Sequence, residues 1–197
     1  MEAATVASAL QRAVTQLKQA DVAERLLEAR MLLEHALGKS RTWILAHPEI
    51  EVSPAVVERL DRLITRRVKG EPVAYITGTR EFFARELHVD ARVLIPRPET
   101  EILVERVITA CRRNTGRVTV IDVGTGSGAI ALSIADALPN ALVIASDRSM
   151  AALDVARENA RLLGLEERVR FVHGNLVEWL GGAVDIIAAN LPYIPSE

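Results

Sequence analysis

Two stretches of this chain combine residue types that chemistry needs at spacings that chemistry can use. The first is Asp122-Val123-Gly124-Thr125-Gly126-Ser127-Gly128, where three glycines alternate with other residues directly after a β-branched run. Glycine is needed where a ligand lies against the backbone, because a Cβ would collide with it. The same turn opens a helical pattern, and the first N–H groups of a helix lack intrahelical partners. The second is Asp147, which ends the next apolar run. A carboxylate there can accept hydrogen bonds from both ribose hydroxyls of an adenosine, which suits NAD and S-adenosylmethionine alike. The glycine series also comes close to a dinucleotide fingerprint. Two plainer readings stay open: a tight turn with no ligand, and Asp147 as the cap of the helix that follows it.

Asn190-Leu191-Pro192-Tyr193 separates these chemistries. A nicotinamide enzyme has no use for it. It resembles the Asn-Pro-Pro-Tyr signature of methyltransferases that alkylate planar, conjugated nitrogens: the exocyclic amines of adenine or guanine, and the side-chain amide of glutamine. Such a nitrogen is a poor nucleophile because its lone pair is delocalised, so an enzyme must hold its N–H groups and aim it at the methyl. Asn190 offers an amide oxygen, and the carbonyl of Leu191 offers a second acceptor. Pro192 stiffens the turn and biases Leu191 toward an extended conformation. Tyr193 offers a flat wall for a flat substrate. A sulfonium is a strong electrophile, so positioning and acceptor groups can supply much of the rate without a strong base. In methyltransferases of this architecture the adenine lies beyond the third strand, here at His173-Gly174-Asn175-Leu176. Asn175 can bond the adenine edge and Leu176 can pack on its face, or the pair is simply a polar loop residue and a core leucine. The candidate cofactor-binding residues are therefore Gly124, Thr125, Gly126, Ser127, Gly128, Asp147, Asn175, Leu176 and Asn190; the candidate catalytic residues are Asn190, Leu191, Pro192 and Tyr193.

The elements that must position these residues differ between the two halves of the chain. Up to about residue 70 apolar residues recur at helical spacing: Val6, Leu10, Val14 and Leu17, then Leu26, Ala29, Leu33 and Leu37, with Gly38 as a stop. Ser53-Pro54 reads as a cap and first-turn proline for a helix through Val57, Leu60 and Ile64, and 42–48 reads as a short helix or turn ending at Pro48. From about residue 115, strand patterns at 118–123, 141–146, 168–172 and 184–189 alternate with helix patterns at 129–138 and 150–163. That alternation predicts an α/β domain with a parallel sheet covered on both faces, which binds ligands at the carboxyl ends of its strands. Between the halves, 80–93 reads as a strand pair and 99–107 as a helix. The division expected is a helical bundle at 1–70, a linker and hairpin at 71–100, and a catalytic domain at 101–197.

Composition removes several function classes. With 24 basic and 26 acidic residues the net charge is -2, so no global field pulls the chain toward nucleic acid or an anionic membrane. Arg66, Arg67 and Lys69 read as a solvated helix end. The single cysteine, Cys111, cannot form an internal disulfide and reads as a packing residue, which fits a reducing, cytoplasmic setting. No stretch has the length of a membrane span or the layout of a signal peptide. Four scattered histidines and one cysteine make no metal-ligand cluster.

Gly70-Glu71-Pro72-Val73-Ala74-Tyr75-Ile76-Thr77-Gly78, Arg80-Glu81-Phe82-Phe83 and Val93-Leu94-Ile95-Pro96-Arg97-Pro98-Glu99-Thr100-Glu101 narrow the reading. They resemble the peptide chain release factor glutamine methyltransferases, the PrmC/HemK family, and with the later motifs the resemblance spans essentially the whole chain. It implies a class I S-adenosylmethionine methyltransferase (Rossmann-like) sheet behind a small helical domain that helps hold a release factor. It further implies transfer of a methyl group from S-adenosyl-L-methionine to the glutamine of the Gly-Gly-Gln loop of class I release factors, by a monomer with no stable nucleic-acid binding. The segment from Pro96 to Glu101 would close one side of the pocket, and Phe83 would lie near the cofactor or in the core. Leucine at 191 departs from the family's proline but keeps the carbonyl. The leucine form also occurs in adenine dimethyltransferases of ribosomal RNA, which leaves a nucleic-acid amine methyltransferase as the alternative. The family continues beyond the position of Glu197, so the sheet is expected to be incomplete at its C-terminal end, and a fragment that only binds cofactor or release factor is a third reading.

Overall fold

Local signals set the helices of the first unit. Thr5 and Ser8 form a reciprocal capping box at the start of α1 (Val6–Gln19), each side chain accepting the other's backbone N–H at 3.2 and 2.9 Å. α2 (Arg25–Leu37) ends where Gly38 takes a left-handed φ of 63°. Ser40 caps the short α3 (Arg41–Ala46), and Ser53 with Pro54 starts α4 (Pro54–Val68). The apolar faces of these helices meet in one core that includes Leu17, Leu32, Leu33, Leu60 and Ile64, all buried. In this computed structural model, which describes residues 4–112 and 116–191, the first compact unit runs to Thr77 and the second starts at Gly78. The stretch expected to begin the linker therefore folds as α5 (Val73–Thr77), with Val73 and Ile76 joining the helical core. Pro72 hides that helix from a periodicity reading, since α5 is too short to show a repeat.

The second unit opens with an antiparallel hairpin, β1 (Thr79–Phe82) and β2 (Arg85–His88), registered Phe82 to Arg85. A 3-10 turn at Pro98–Thr100 leads into α6 (Glu101–Cys111). The expected alternation follows: β3 (Thr119–Val123), α7 (Ala129–Ala137), β4 (Leu142–Asp147), α8 (Met150–Leu162), β5 (Val169–His173) and β6 (Ile186–Ala189). The four strands form a parallel sheet in the order β5-β4-β3-β6. β3 is central, and four of its five residues are buried. α7 is buried from Ala129 through Ala135 because it lies against the sheet and also under α6. Cys111 packs in this core with Val104 and Val107, as expected of a small apolar residue. No helix among the described residues is long and apolar enough to cross a membrane.

The two-residue loop of the hairpin places Phe83 and Ala84 at φ 49° and 56°. A left-handed conformation costs a non-glycine residue about 1–2 kcal/mol, and hairpin loops of this kind favour glycine at the second position. Ala84→Gly should therefore raise the unfolding free energy of the chain by about 1 kcal/mol in urea titration; an unchanged midpoint would show that the loop carries no such strain.

Candidate active site

Parallel register brings the candidate residues to one end of the sheet. Val123 at the end of β3 pairs with Ser146 on one side and Ala189 on the other, and Asp147 pairs with His173. The glycine turn, Asp147, the loop after His173 and Asn190 all leave the sheet at its carboxyl edge, where open parallel sheets bind ligands. A cavity of about 500 Å³ opens at the other edge, between Arg117, Asn140 and Arg170, and contains none of these groups.

All three glycines of the turn have positive φ: 71° at Gly124, 55° at Gly126 and 83° at Gly128. The N–H groups of Gly124 and Thr125 both donate to the carbonyl of Ser146 at 2.9 Å, which ties the turn to β4. A Cβ on Gly128 would lie 2.9 Å from Leu132 and 3.2 Å from Ala156, so this glycine lets α7 and α8 approach closely. A Cβ on Gly126 would meet nothing within 4 Å. Beyond its left-handed φ, this glycine faces open space and leaves backbone open to a ligand. Asp147 joins the parts: one carboxylate oxygen accepts the Gly126 N–H at 3.0 Å and the other accepts the Ser149 N–H at 2.9 Å. The side chain that caps α8 is Ser149, which accepts from the Ala152 N–H. Asp147 thus orders the cap residue without being the cap, and each of its oxygens keeps a lone pair for a further donor.

Asp122 lies beneath the turn, fully buried. One oxygen accepts the Thr125 hydroxyl at 2.7 Å and the Ala131 N–H at 3.2 Å; the other has no hydrogen-bond partner among the described residues. Burial pushes the carboxyl up to about 6, the two hydrogen bonds oppose the rise, and the nearby Asp147 charge adds to it. Since its folded value exceeds its unfolded one, ionised Asp122 costs stability. That cost is absent below about pH 4, grows as pH rises, and is complete above about pH 6.

Asn159 is the functional residue that sequence patterns missed most plainly. It is fully buried on the apolar face of α8, between Ala156 and Ala160. Its oxygen accepts the His88 N–H at 2.6 Å, and its amide donates to the carbonyls of His88 and Ser127 at 2.9 and 2.8 Å. One side chain therefore fastens the end of β2 to the glycine turn. A buried amide on an otherwise apolar helix stripe was the available signal. Thr100 was missed as an individual contact too: its hydroxyl accepts the Asn190 side-chain N–H at 2.8 Å.

The remaining candidates are placed as follows. Asn175 and Leu176 follow β5 beside Asp147, whose carbonyl accepts the Gly174 N–H at 3.1 Å. The Asn175 amide donates to Glu178 at 2.7 Å. Leu176 has φ 47° and is exposed, so it is not a core leucine. Trp179 lies over Gly174, where a Cβ would come 2.5 Å from its ring, and its N–H donates to the Leu176 carbonyl at 2.8 Å. Leu191 lies over the glycine turn, with Cδ2 2.5 Å from the position of a Cβ on Gly124. The tetrapeptide and the turn are thus in contact through Gly124. Pro192 and Tyr193 lie outside the described residues. Phe83 packs against the core, and its N–H donates to Glu101 at 3.0 Å.

The Asn159 clamp predicts an effect on stability and on the turn together. Asn159→Ala removes three hydrogen bonds and leaves buried backbone groups unpaired, so unfolding free energy should fall by about 2–4 kcal/mol. Amide exchange at Ser127 and Gly128 should accelerate more than at strand β3; a uniform change would reduce Asn159 to a packing residue.

Comparison with known proteins identifies the family. Residues 8–78 match the PrmC N-terminal domain, and residues 98–196 match the methyltransferase small domain. The chain is 49% identical over 175 residues to the release factor glutamine methyltransferase of Bordetella pertussis, covering 87% of this chain and 63% of that one. It is 45% identical over 193 residues to the protein of the same name from Moorella thermoacetica, covering 98% of this chain and 68% of that one. It therefore spans about two thirds of the length of these curated relatives. A solved structure described as an SAM-dependent methyltransferase from Agrobacterium tumefaciens superposes with a TM-score of 0.50 at 24% identity, over 56% of this chain and 38% of that one, a likeness of fold. The two domain matches in sequence order and the level of identity establish that this chain belongs to the release factor glutamine methyltransferase family.

Proposed function

We propose that this protein transfers a methyl group from S-adenosyl-L-methionine to the side-chain amide nitrogen of the glutamine in the Gly-Gly-Gln loop of class I peptide chain release factors. The observation that carries the reading is the placement of Asn190 beside the glycine turn, with its amide N–H turned toward Thr100. That leaves the amide oxygen available to a donor, as a nitrogen substrate requires. The names of the relatives support the glutamine substrate, and the tetrapeptide supports a planar nitrogen.

The residues present fit a cationic adenosyl cofactor. Gly126 offers bare backbone over open space, Asp147 offers acceptors for ribose hydroxyls, and Asp122 is a buried carboxylate with one oxygen that has no hydrogen-bond partner among the described residues. A positive charge near the turn offsets the repulsion between the two carboxylates. Asn175 and Leu176 stand where an adenine edge and face would meet the loop after β5. When bound, the cofactor supplies a methyl group on a positively charged sulfur.

Asn190 accepts one N–H of the glutamine amide, and the Leu191 carbonyl accepts the other. These two acceptors fix the nitrogen and stabilise the positive charge that builds on it as the N–C bond forms. The electrons of the broken S–C bond remain on sulfur, and the nitrogen proton passes to water after transfer. Asn190 serves geometry rather than proton abstraction, so no general base is needed. Pro192 and Tyr193 enter this account through the tetrapeptide alone, as a stiff turn and a flat wall.

Incubation with methyl-labelled S-adenosylmethionine, an unmethylated class I release factor, its Gln→Ala loop variant and total RNA should label the wild-type factor alone. Label on RNA would instead establish the nucleic-acid reading, and cofactor binding without any label would establish a binding fragment. Asp122 adds a pH dependence. Its ionised form attracts a cation and its protonated form does not, so cofactor affinity should fall roughly three- to tenfold as pH drops from 7.5 to 5, through the value of about 6. Isothermal titration of Asp122→Asn should show a flatter profile; an equal slope in the variant would assign the dependence to another group.

A further inference from the structure

Thr100 is the last residue of the 3-10 turn Pro98–Thr100 and directly precedes α6. Its backbone is already helical there, at φ -70° and ψ -19°, and not in the extended conformation from which a threonine side chain caps a helix. Thr100 makes no such cap, although it is only 9% exposed. A buried hydroxyl is seldom left unused, and this one accepts the Nδ2–H of Asn190 at 2.8 Å, across 90 residues of sequence. The hydroxyl is thus free to meet the tetrapeptide.

That contact has a chemical consequence. An asparagine amide has one acceptor face and one donor face. With Nδ2 held by Thr100, the free face of Asn190 is its oxygen, which suits ligands that present N–H groups. In the opposite orientation the free face would be an N–H pair, which would repel an amide nitrogen and welcome a carbonyl. We infer that Thr100 is a positioning residue that holds the Asn190 side chain in place at the carboxyl edge of the sheet, with its amide oxygen free for an N–H-bearing substrate.

The surroundings of Thr100 suit a fixed post. Its own N–H donates to the Arg97 carbonyl at 3.0 Å. The neighbouring Glu101 accepts the Phe83 N–H at 3.0 Å, which ties the start of α6 to the hairpin loop. Val104 and Val107 then anchor the helix in the core. Pro98 at the start of the turn limits its backbone further. The Ile-Pro-Arg-Pro-Glu-Thr-Glu block therefore acts on Asn190 through a single hydroxyl on a rigid mount.

The inference rests on the amide-methylation reading, and two measurements separate their fates. Thr100→Val keeps the shape and removes the hydroxyl; Thr100→Ser keeps the hydroxyl. In release-factor methylation, Thr100→Val should lower kcat roughly 10- to 100-fold, with a thermal midpoint close to wild type. Thr100→Ser should recover activity to within about threefold of wild type. Wild-type kcat in Thr100→Val, or an equal loss in both variants, would overturn the inference. Should the wild-type chain label no release factor, the methylation reading fails, and the Thr100 contact is read from the Asn190 side-chain amide by NMR. Slow proton exchange at Nδ2 in wild type and Thr100→Ser but not in Thr100→Val would support the inference, and equal exchange in all three would refute it.

Discussion

Parallel pairing of β3 between β4 and β6 is the constraint on which the rest of the site depends. Parallel strands release their following loops at the same edge, so three loops distant in sequence emerge side by side. β3 delivers the glycine turn, β4 delivers Asp147 and β6 delivers Asn190. The register brings Val123, Ser146 and Ala189 level, and one residue further on the chain must turn sharply. The positive φ of Gly124 and the pair of hydrogen bonds to the Ser146 carbonyl are how it turns.

Polar groups are buried at this edge at some cost, and each has a positional consequence. Asp122 holds Thr125 and the first turn of α7 while leaving one oxygen without a partner. Asn159 spends its whole amide on two backbone segments. An apolar side chain at either position would remove a desolvation penalty but release the turn from β2 or from α7. The strained hairpin loop at Phe83 and Ala84 is of the same kind, since the Phe83 N–H meets the carboxylate that stands next to Thr100.

Sequence alone revealed whatever backbone geometry imprints on residue type. Glycines at alternate positions announced the turn, Ser53-Pro54 and Gly38 announced helix ends, and alternating strand and helix patterns announced the parallel sheet. The tetrapeptide at 190–193 stood out in the sequence because its residue types suit a chemical task. Contacts formed across long separations were not legible. His88 and Asn159 lie 71 residues apart, and Thr100 and Asn190 lie 90 apart; neither pair has a local pattern. Asp147 could be read from sequence as either ribose acceptor or cap, and only the position of Ser149 shows that capping is done by another side chain. α5 went unseen because five residues are too few for a helical period.

We propose that the carboxyl edge of this sheet holds an adenosyl cofactor through Asp147 and the glycine turn. The direct measurement is calorimetric titration of S-adenosylhomocysteine into the chain and into its Asp147→Ala variant, with circular dichroism to compare their folds. The wild type should bind, and the variant should lose at least roughly tenfold in affinity, since two ribose hydroxyls lose a charged acceptor. Equal affinity in two equally folded proteins would contradict it and place the cofactor elsewhere.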